Sequence, residues 1–151
     1  MNQQAQKYWN EFWEGKAAPT NVMAEQFGME GTPMADELAH LIAIGRKTAT
    51  CGAHALYKPE EIPTAGLYTV VLDAKDQPIC IIRTTSVEVI PMNEVTEEFA
   101  AAEGEGDLSY RYWYDCHKEF FKIELAEVGQ EFAEDMLLVC ERFELVDVKK
   151  T

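Results

Sequence analysis

The stretch Ala35–Gly52, ADELAHLIAIGRKTATCG, predicts a helix, a glycine stop and a strand in immediate succession. Thr32 can cap the helix, and Pro33 suits its first turn. One apolar face follows at helical spacing, formed by Met34, Leu38, Leu41 and Ile42. Gly45 then ends the helix, because glycine readily adopts the left-handed conformation that closes many helices. The chain therefore turns from helix to strand beside two basic residues.

Lys47 and Thr50 lie three residues apart across this junction. A lysine that loses solvation can have its pKa depressed and act as a general base. An adjacent base is what activates a threonine hydroxyl as a nucleophile. A simpler interpretation is that Arg46 and Lys47 complement the negative end of the helix dipole, while Thr50 is only a strand residue. The K-x-x-T spacing by itself favours the simpler interpretation.

Periodicity predicts the elements on either side. Aromatic residues at helical spacing predict a short packing helix within an N-terminal helical extension of about residues 1–32, namely Tyr8, Trp9, Phe12 and Trp13. β-branched residues predict strands at 67–73 and 78–90. Alternating residues predict a closing strand at 136–147.

The second half of the chain also contains helices. Residues 93–99 predict a short helix, and EGEGD at 103–107 predicts a loop. A long helix is predicted at 108–127, with Asp107 as its cap. His117 lies on an aromatic row of that helix, which is typical of a hydrogen-bonded core histidine rather than a ligand or base.

No repeat, linker or low-complexity tract interrupts the 151 residues, so a single domain is predicted over 1–151. The mixture of helices and short strands predicts an α+β fold. Its sheet is expected to be curved, mostly antiparallel and barrel-like, with helices flanking it.

The net charge of the chain limits the kinds of ligand that it can bind. The formal net charge is −14, which opposes affinity for duplex DNA because such affinity comes from neutralising phosphates. Residues 1–58 carry five basic and six acidic side chains, whereas residues 59–151 carry eight and 21. The junction at 45–50 is therefore nearly neutral, which suits a small or weakly charged ligand.

The four cysteines are far apart, as expected for reduced, mostly buried thiols of a cytoplasmic protein: Cys51, Cys80, Cys116 and Cys140. No set of histidines and cysteines has the spacing of a zinc site, so neither a metal nor another cofactor is expected. No apolar run is long enough for a membrane helix, and the opening MNQQAQKYWNEF does not have the form of a signal peptide. A homo-oligomer is compatible with the sequence.

The GRKTAT stretch at 45–50 resembles the G-x-K-x-x-T signature of the ASCH domain, a small PUA-like β-barrel family linked to RNA. The resemblance extends through GLYTVVLDAKDQPICIIRTTSVEVIPMNEV, FAAAEGEGDLSYRYW and DMLLVCERFELV. Together these segments cover most of the chain from Ala35 to Val146, and they are similar to bacterial ASCH proteins of about this size.

The resemblance implies a site in the mouth of the barrel. Small bacterial members include amidohydrolases acting on N(4)-acetylcytidine with a threonine, a lysine and a glutamate. The matching positions here are Thr50, Lys47 and Glu103, which are the predicted catalytic residues. Other members resemble ribonucleases that use the same lysine in a cleft for single-stranded RNA. An amidohydrolase of a modified nucleoside and a ribonuclease or RNA-binding module for short single-stranded RNA are therefore both open.

The sequence departs from the family signature at one position. The signature often continues as T-x-R, and Gly52 stands where the arginine is expected. Two alternatives follow: the basic contact to the ligand is missing, or it is supplied by Arg46, Arg83 or Arg111.

Three residues are predicted to bind substrate, although the sequence favours simpler interpretations for two of them: core packing for Tyr57 and a place in the first helical turn for Ser109. Arg46 is beside the signature lysine, Tyr57 can stack on a base, and Ser109 offers a hydroxyl near the 103–107 loop.

Overall fold

The computed structural model describes residues 1–150. In chain order the elements are α1 (Gln3–Phe12), β1 (Val22–Gln26), α2 (Pro33–Ala43), β2 (Ala49–Ala53), β3 (Tyr68–Leu72), β4 (Pro78–Pro91), α3 (Glu97–Ala102), α4 (Tyr110–Glu127) and β5 (Leu137–Val148). Among these helices, none is both long and apolar enough to cross a membrane.

The five strands form one curled sheet in the order β1-β3-β4-β5-β2. All neighbours pair antiparallel except β1 and β3, which are parallel. Register shifts lie within the long β4–β5 pair, where bulges increase twist and bend strands. The predicted α+β class with a curved, mostly antiparallel sheet is confirmed. The sheet is a half-barrel, because β1 and β2 remain edge strands in the described part of the chain.

Strand β1 was not predicted from the sequence. Its five residues, VMAEQ, are too polar and too short to stand out from a loop by alternation. Val22 and Ala24 pack beside α1, whereas Met23 and Glu25 line a cavity, as expected for side chains that alternate across a strand. The segment of residues 1–32 thus contributes a sheet edge as well as α1.

Two helix predictions need correction. The short helix begins at Glu97 rather than residue 93, because Thr96 caps it by accepting a hydrogen bond from the Phe99 amide at 3.1 Å. The cap of α4 is Ser109 rather than Asp107: the Ser109 hydroxyl accepts from the Tyr112 amide at 3.1 Å. Asp107 instead accepts a hydrogen bond from the Ser109 amide.

Neighbouring residues of β3 face different layers. Val70 packs with α1, and Val71 packs with α2. A third apolar cluster joins α3 and α4 to β2 and β5, and Trp113 and Phe121 are buried in it. The curl of the sheet leaves a cavity that opens between these layers, next to the junction at residues 45–50.

Candidate active site

The cavity has a volume of about 730 Å³. Its walls come from β1, α2, β2, β5, the connection between β2 and β3, the loop after α3, and α4. Lys47, Thr50 and Glu103 all line it. Residues far apart in the sequence are therefore brought to one enclosed space.

Lys47 is buried, with 1% of its side chain exposed. Its ammonium donates to Glu103 Oε1 at 2.9 Å, to Glu105 Oε2 at 3.0 Å and to the Glu103 carbonyl at 3.4 Å. An ammonium has three donors, so these contacts satisfy it fully. Helix α2 ends at Ala43, and the turn that follows directs Lys47 inward rather than toward the helix dipole.

Glu103 is the centre of the buried cluster, and it too is 1% exposed. While Oε1 accepts from Lys47, Oε2 accepts from Trp113 Nε1 at 2.6 Å and from Cys51 Sγ at 3.1 Å. His117 Nε2 lies 3.3 Å from the same Oε2. We call Lys47, Cys51, Glu103, Trp113 and His117 the buried cluster.

The two charges of the ion pair stabilise each other. Burial alone disfavours both ionised forms, but the attraction between Lys47 and Glu103 outweighs it. The pKa of Lys47 is consequently raised, with Glu105 contributing further. The pKa of Glu103 is lowered by Lys47, His117 and the hydrogen bond from Trp113. The depressed lysine pKa expected from the sequence is therefore wrong in direction, because the carboxylates supply more than desolvation removes.

His117 belongs to the buried cluster, although the sequence suggested an ordinary core histidine. Nδ1 lies 2.7 Å from the Trp113 carbonyl and Nε2 faces Glu103, so both nitrogens donate only when the ring is protonated. Burial opposes that charge, yet Glu103 raises the pKa of His117 overall. The available signal was its spacing of four residues from Trp113, which places both rings on one helix face; the rings stack 4.6 Å apart.

Cys51, Glu103 and His117 present three metal-ligating atoms within 4.8 Å of one another. Lys47 already neutralises the carboxylate at 2.9 Å and would repel a cation there. Burial, together with the charge of Glu103, raises the pKa of the Cys51 thiol well above its usual value, so the thiol acts as a neutral donor. The donor set is therefore chemically suited to hydrogen bonding around Glu103 more than to metal binding.

Thr50 is half-buried on β2 and lines the same cavity. Its register partner across the sheet is Glu141 of β5. Directly opposed residues of an antiparallel pair project from the same face. Thr50 therefore has a carboxyl group as its cross-strand neighbour, which sequence reasoning did not anticipate.

Gly52 leaves room for Tyr57. A Cβ atom at position 52 would lie 2.4 Å from the Tyr57 hydroxyl oxygen, so a larger residue requires that ring to move. Tyr57 also lines the cavity. The departure from the family signature at Gly52 is thus matched by an aromatic side chain that occupies the adjoining space.

The remaining predicted residues lie outside the cavity lining. Arg46 donates to the carbonyls of Gly104 (2.9 Å) and Gly106 (2.7 Å), so it holds the loop that carries the glutamates. A Cβ at Gly104 would meet the Arg46 carbonyl at 2.4 Å, which explains the glycine there. Ser109 is exposed and caps α4. The other candidate arginines form surface ion pairs: Arg83 with Glu144 and Arg111 with Asp115.

Six further glutamates line the cavity beside apolar side chains, namely Glu25, Glu60, Glu61, Glu105, Glu124 and Glu141. Desolvation raises the pKa of Glu25 to about 7, with further contributions from Glu141 and Glu30. Desolvation also raises the pKa of Glu141, although Thr84 and Lys47 oppose the shift. The cavity consequently holds paired charges in the buried cluster and poorly compensated carboxyls elsewhere.

The ASCH domain family model matches residues 23–147. The crystal structure of an ASCH domain from Lactobacillus crispatus JV V101 is 36% identical, with 97% of this chain and 96% of that chain covered and a TM-score of 0.90. A crystal structure of a protein from Enterococcus faecalis V583 is 44% identical, with 98% and 91% covered and a TM-score of 0.83. No curated protein sequence matches the chain. The chain therefore belongs to the ASCH-domain family.

Proposed function

We propose that this protein hydrolyses an amide on a small modified nucleoside or nucleobase, with an N(4)-acetylcytidine-like compound as substrate. The observation that carries the proposal is the fully buried Lys47–Glu103 pair, 2.9 Å apart, in a cavity that Thr50 also lines. A buried charge is costly unless it is paired. Its location at a cavity, rather than within solid core, favours a role toward a ligand.

The size and charge of the cavity support a small substrate. Ligand sites of about 300–1,000 Å³ suit single small molecules, and this cavity is about 730 Å³. Its glutamate-rich lining would repel a polyphosphate backbone. A nucleoside without phosphates avoids that repulsion, whereas duplex DNA and long RNA would experience it in full.

The raised pKa gives Lys47 a different role from that of the general base predicted from the sequence. A lysine with a raised pKa remains an ammonium near neutral pH, so it would stabilise the negative charge that develops on the amide oxygen. Thr50 would be the nucleophile or a second partner of that oxygen. Glu103 would hold the ammonium in position, with His117 and Trp113 fixing the carboxylate in turn.

The test is to incubate the pure protein with acylated nucleosides and with short single-stranded RNAs, and to identify products by mass spectrometry. We expect release of the carboxylic acid from one class of acylated nucleoside. Lys47→Met and Thr50→Val should abolish it while the protein remains folded, and Thr50→Ser should retain a measurable fraction. Glu98→Gln, in an exposed ion pair with Arg142, is the matched control and should leave turnover unchanged.

Cleavage of RNA with no release from any acylated nucleoside would contradict the proposal and favour a ribonuclease. Turnover that survives Lys47→Met would place the reaction outside this cavity. Tight, sequence-independent retention of duplex DNA at physiological salt would contradict the argument from charge.

A further inference from the structure

Three of the polar cavity residues outside the buried cluster come from separate elements. Glu25 comes from β1, Glu141 from β5, and Tyr57 from the connection after β2. All three line the cavity. We call them the carboxyl subsite.

These three groups have few or no hydrogen-bond or ion-pair partners within the described part of the protein. Within residues 1–150, neither the Glu25 carboxyl nor the Tyr57 hydroxyl has a hydrogen-bond or ion-pair partner, although Glu25 projects from the cavity face of β1. Glu141 is only 8% exposed, and Thr84 donates to its Oε2, which leaves Oε1 without a protein donor. The side chains of Glu25 and Tyr57 are half-buried, so their oxygens are open to the cavity and to solvent. Acceptors without a protein partner at a cavity wall are available to a ligand that donates hydrogen bonds.

The groups are also electrostatically connected. Burial raises the pKa of Tyr57, and Glu25 and Glu141 raise it further. The charges of Glu141 and Glu30 also raise the pKa of Glu25, and no lysine, arginine or histidine of the described residues forms an ion pair with its carboxyl. Among the described residues, the Glu25 carboxyl therefore lacks a hydrogen-bond donor, which a bound proton or the amino group of a ligand would supply.

The geometry points to the carboxyl subsite as the place that receives the nitrogen half of the substrate, where Glu25 is a catalytic acid that gives its proton to the leaving nitrogen. The inference rests on the proposed amide hydrolysis. In this step the carbon–nitrogen bond breaks, its electron pair stays on nitrogen, and nitrogen takes the proton of Glu25. Water supplies hydroxyl to the acyl carbon and returns its other proton to Glu25, so amide and water give a carboxylic acid and an amine.

The ligand class follows from the same chemistry. Carboxyl and phenol oxygens accept hydrogen bonds from an amino group, and a protonated Glu25 can also donate to a ring nitrogen. An aminopyrimidine edge offers both contacts, while the corresponding oxo-pyrimidine presents a carbonyl in place of the amino group. A site that hydrogen-bonds the amino group should reject the oxo compound, because its buried acceptors would remain unpaired.

The first measurement is binding, with cytidine and uridine as probes in calorimetric titrations at pH 6.5. The wild-type protein should bind cytidine at least about tenfold more tightly than uridine. Glu25→Gln should reduce that ratio to about threefold or less. Glu88→Gln is the matched control, because Glu88 is exposed on β4 and outside the cavity lining, and it should keep the full ratio.

The second measurement is turnover of an acylated aminopyrimidine nucleoside beside the ester of the same acid. An ester leaves as an oxygen anion that needs a proton far less, so Glu25→Gln should lower kcat for the amide at least about tenfold more than for the ester. The wild-type amide rate should also fall as pH rises above 7, and that limb should be absent in Glu25→Gln.

The outcomes distinguish the role of Glu25 and its subsite from the proposed hydrolase activity. Amide turnover with the same amide-to-ester ratio in Glu25→Gln would overturn the catalytic acid while leaving the hydrolase intact. No turnover, but a cytidine preference that depends on Glu25, would overturn the hydrolase and support the subsite alone. Equal binding of cytidine and uridine by the wild type would overturn the subsite.

Discussion

Two glutamates of one cavity respond to burial in opposite ways. Glu103 in the buried cluster is enclosed by Lys47, His117 and two further donors, and its pKa is lowered. Glu25 in the carboxyl subsite has no ion-pair partner in the described chain, and its pKa rises to about 7. The residue type is the same and both are shielded from water.

The difference teaches that partners, rather than depth, decide the charge of a carboxyl here. Desolvation is the largest single influence on both groups, and it acts in the same direction on each. Only at Glu103 do the Lys47 ammonium, the His117 ring and the Trp113 indole donor outweigh it. The cavity therefore combines a fixed anion–cation pair with a carboxyl that exchanges its proton near neutral pH.

The largest effect is expected from Glu103→Ala. It leaves the buried Lys47 ammonium without its main partner, so the free energy of unfolding should fall by about 3–5 kcal/mol. Glu98→Ala removes an exposed ion pair with Arg142 and should cost less than about 1 kcal/mol. Urea denaturation of both variants checks the difference, and equal losses would show that burial of the pair is energetically unimportant.

Replacing Glu25 is expected to raise the free energy of unfolding rather than lower it. Its pKa is about 7 in the folded protein and ordinarily near 4.5, so the folded state binds more protons between those values. Stability from this group is therefore lost as pH rises from 4.5 through 7. The free energy of unfolding of Glu25→Gln should match that of the wild type below pH 4.5 and exceed it by about 3 kcal/mol above pH 8. Thermal unfolding across that range tests this, and a difference independent of pH would contradict it.

A smaller effect is expected at His117. Because its pKa is raised, its contribution is fully present below its ordinary value near 6.5 and is lost as pH rises through the folded-state pKa. His117→Gln should cost about 1.5 kcal/mol at pH 6 and less at pH 9. His40→Gln, at an exposed position of α2, is the control for removal of an imidazole outside the buried cluster. Histidine NMR titration gives a direct check: Glu103→Gln should lower the His117 pKa.

The smallest effect concerns Gly52. Gly52→Ala places a Cβ against the Tyr57 ring, whose end can shift, so stability should fall by only about 1 kcal/mol. The same change in a Tyr57→Ala background should cost almost nothing. A double-mutant cycle measures the coupling. Additive effects would show that Tyr57 does not occupy the space beside Gly52 in solution.

Local sequence determined much of the fold and part of the site. Local patterns predicted these elements: the apolar face before Gly45, the β-branched runs at 67–73 and 78–90, and the alternation at 136–147. The GRKTAT signature predicted Lys47 and Thr50 as site residues, and the family resemblance added Glu103. These predictions use patterns within a few residues, where local geometry is restrictive.

Tertiary structure alone decided what those residues are chemically. The pKa of Lys47 rises because Glu103 and Glu105 arrive from a loop more than 50 positions away, and nothing within GRKTAT indicates that direction. Glu25 enters the cavity on a strand too short and polar to predict, and Glu141 faces Thr50 only through the β2–β5 register. Charge state depends on neighbours in space, and the sheet assembles those neighbours from distant parts of the chain.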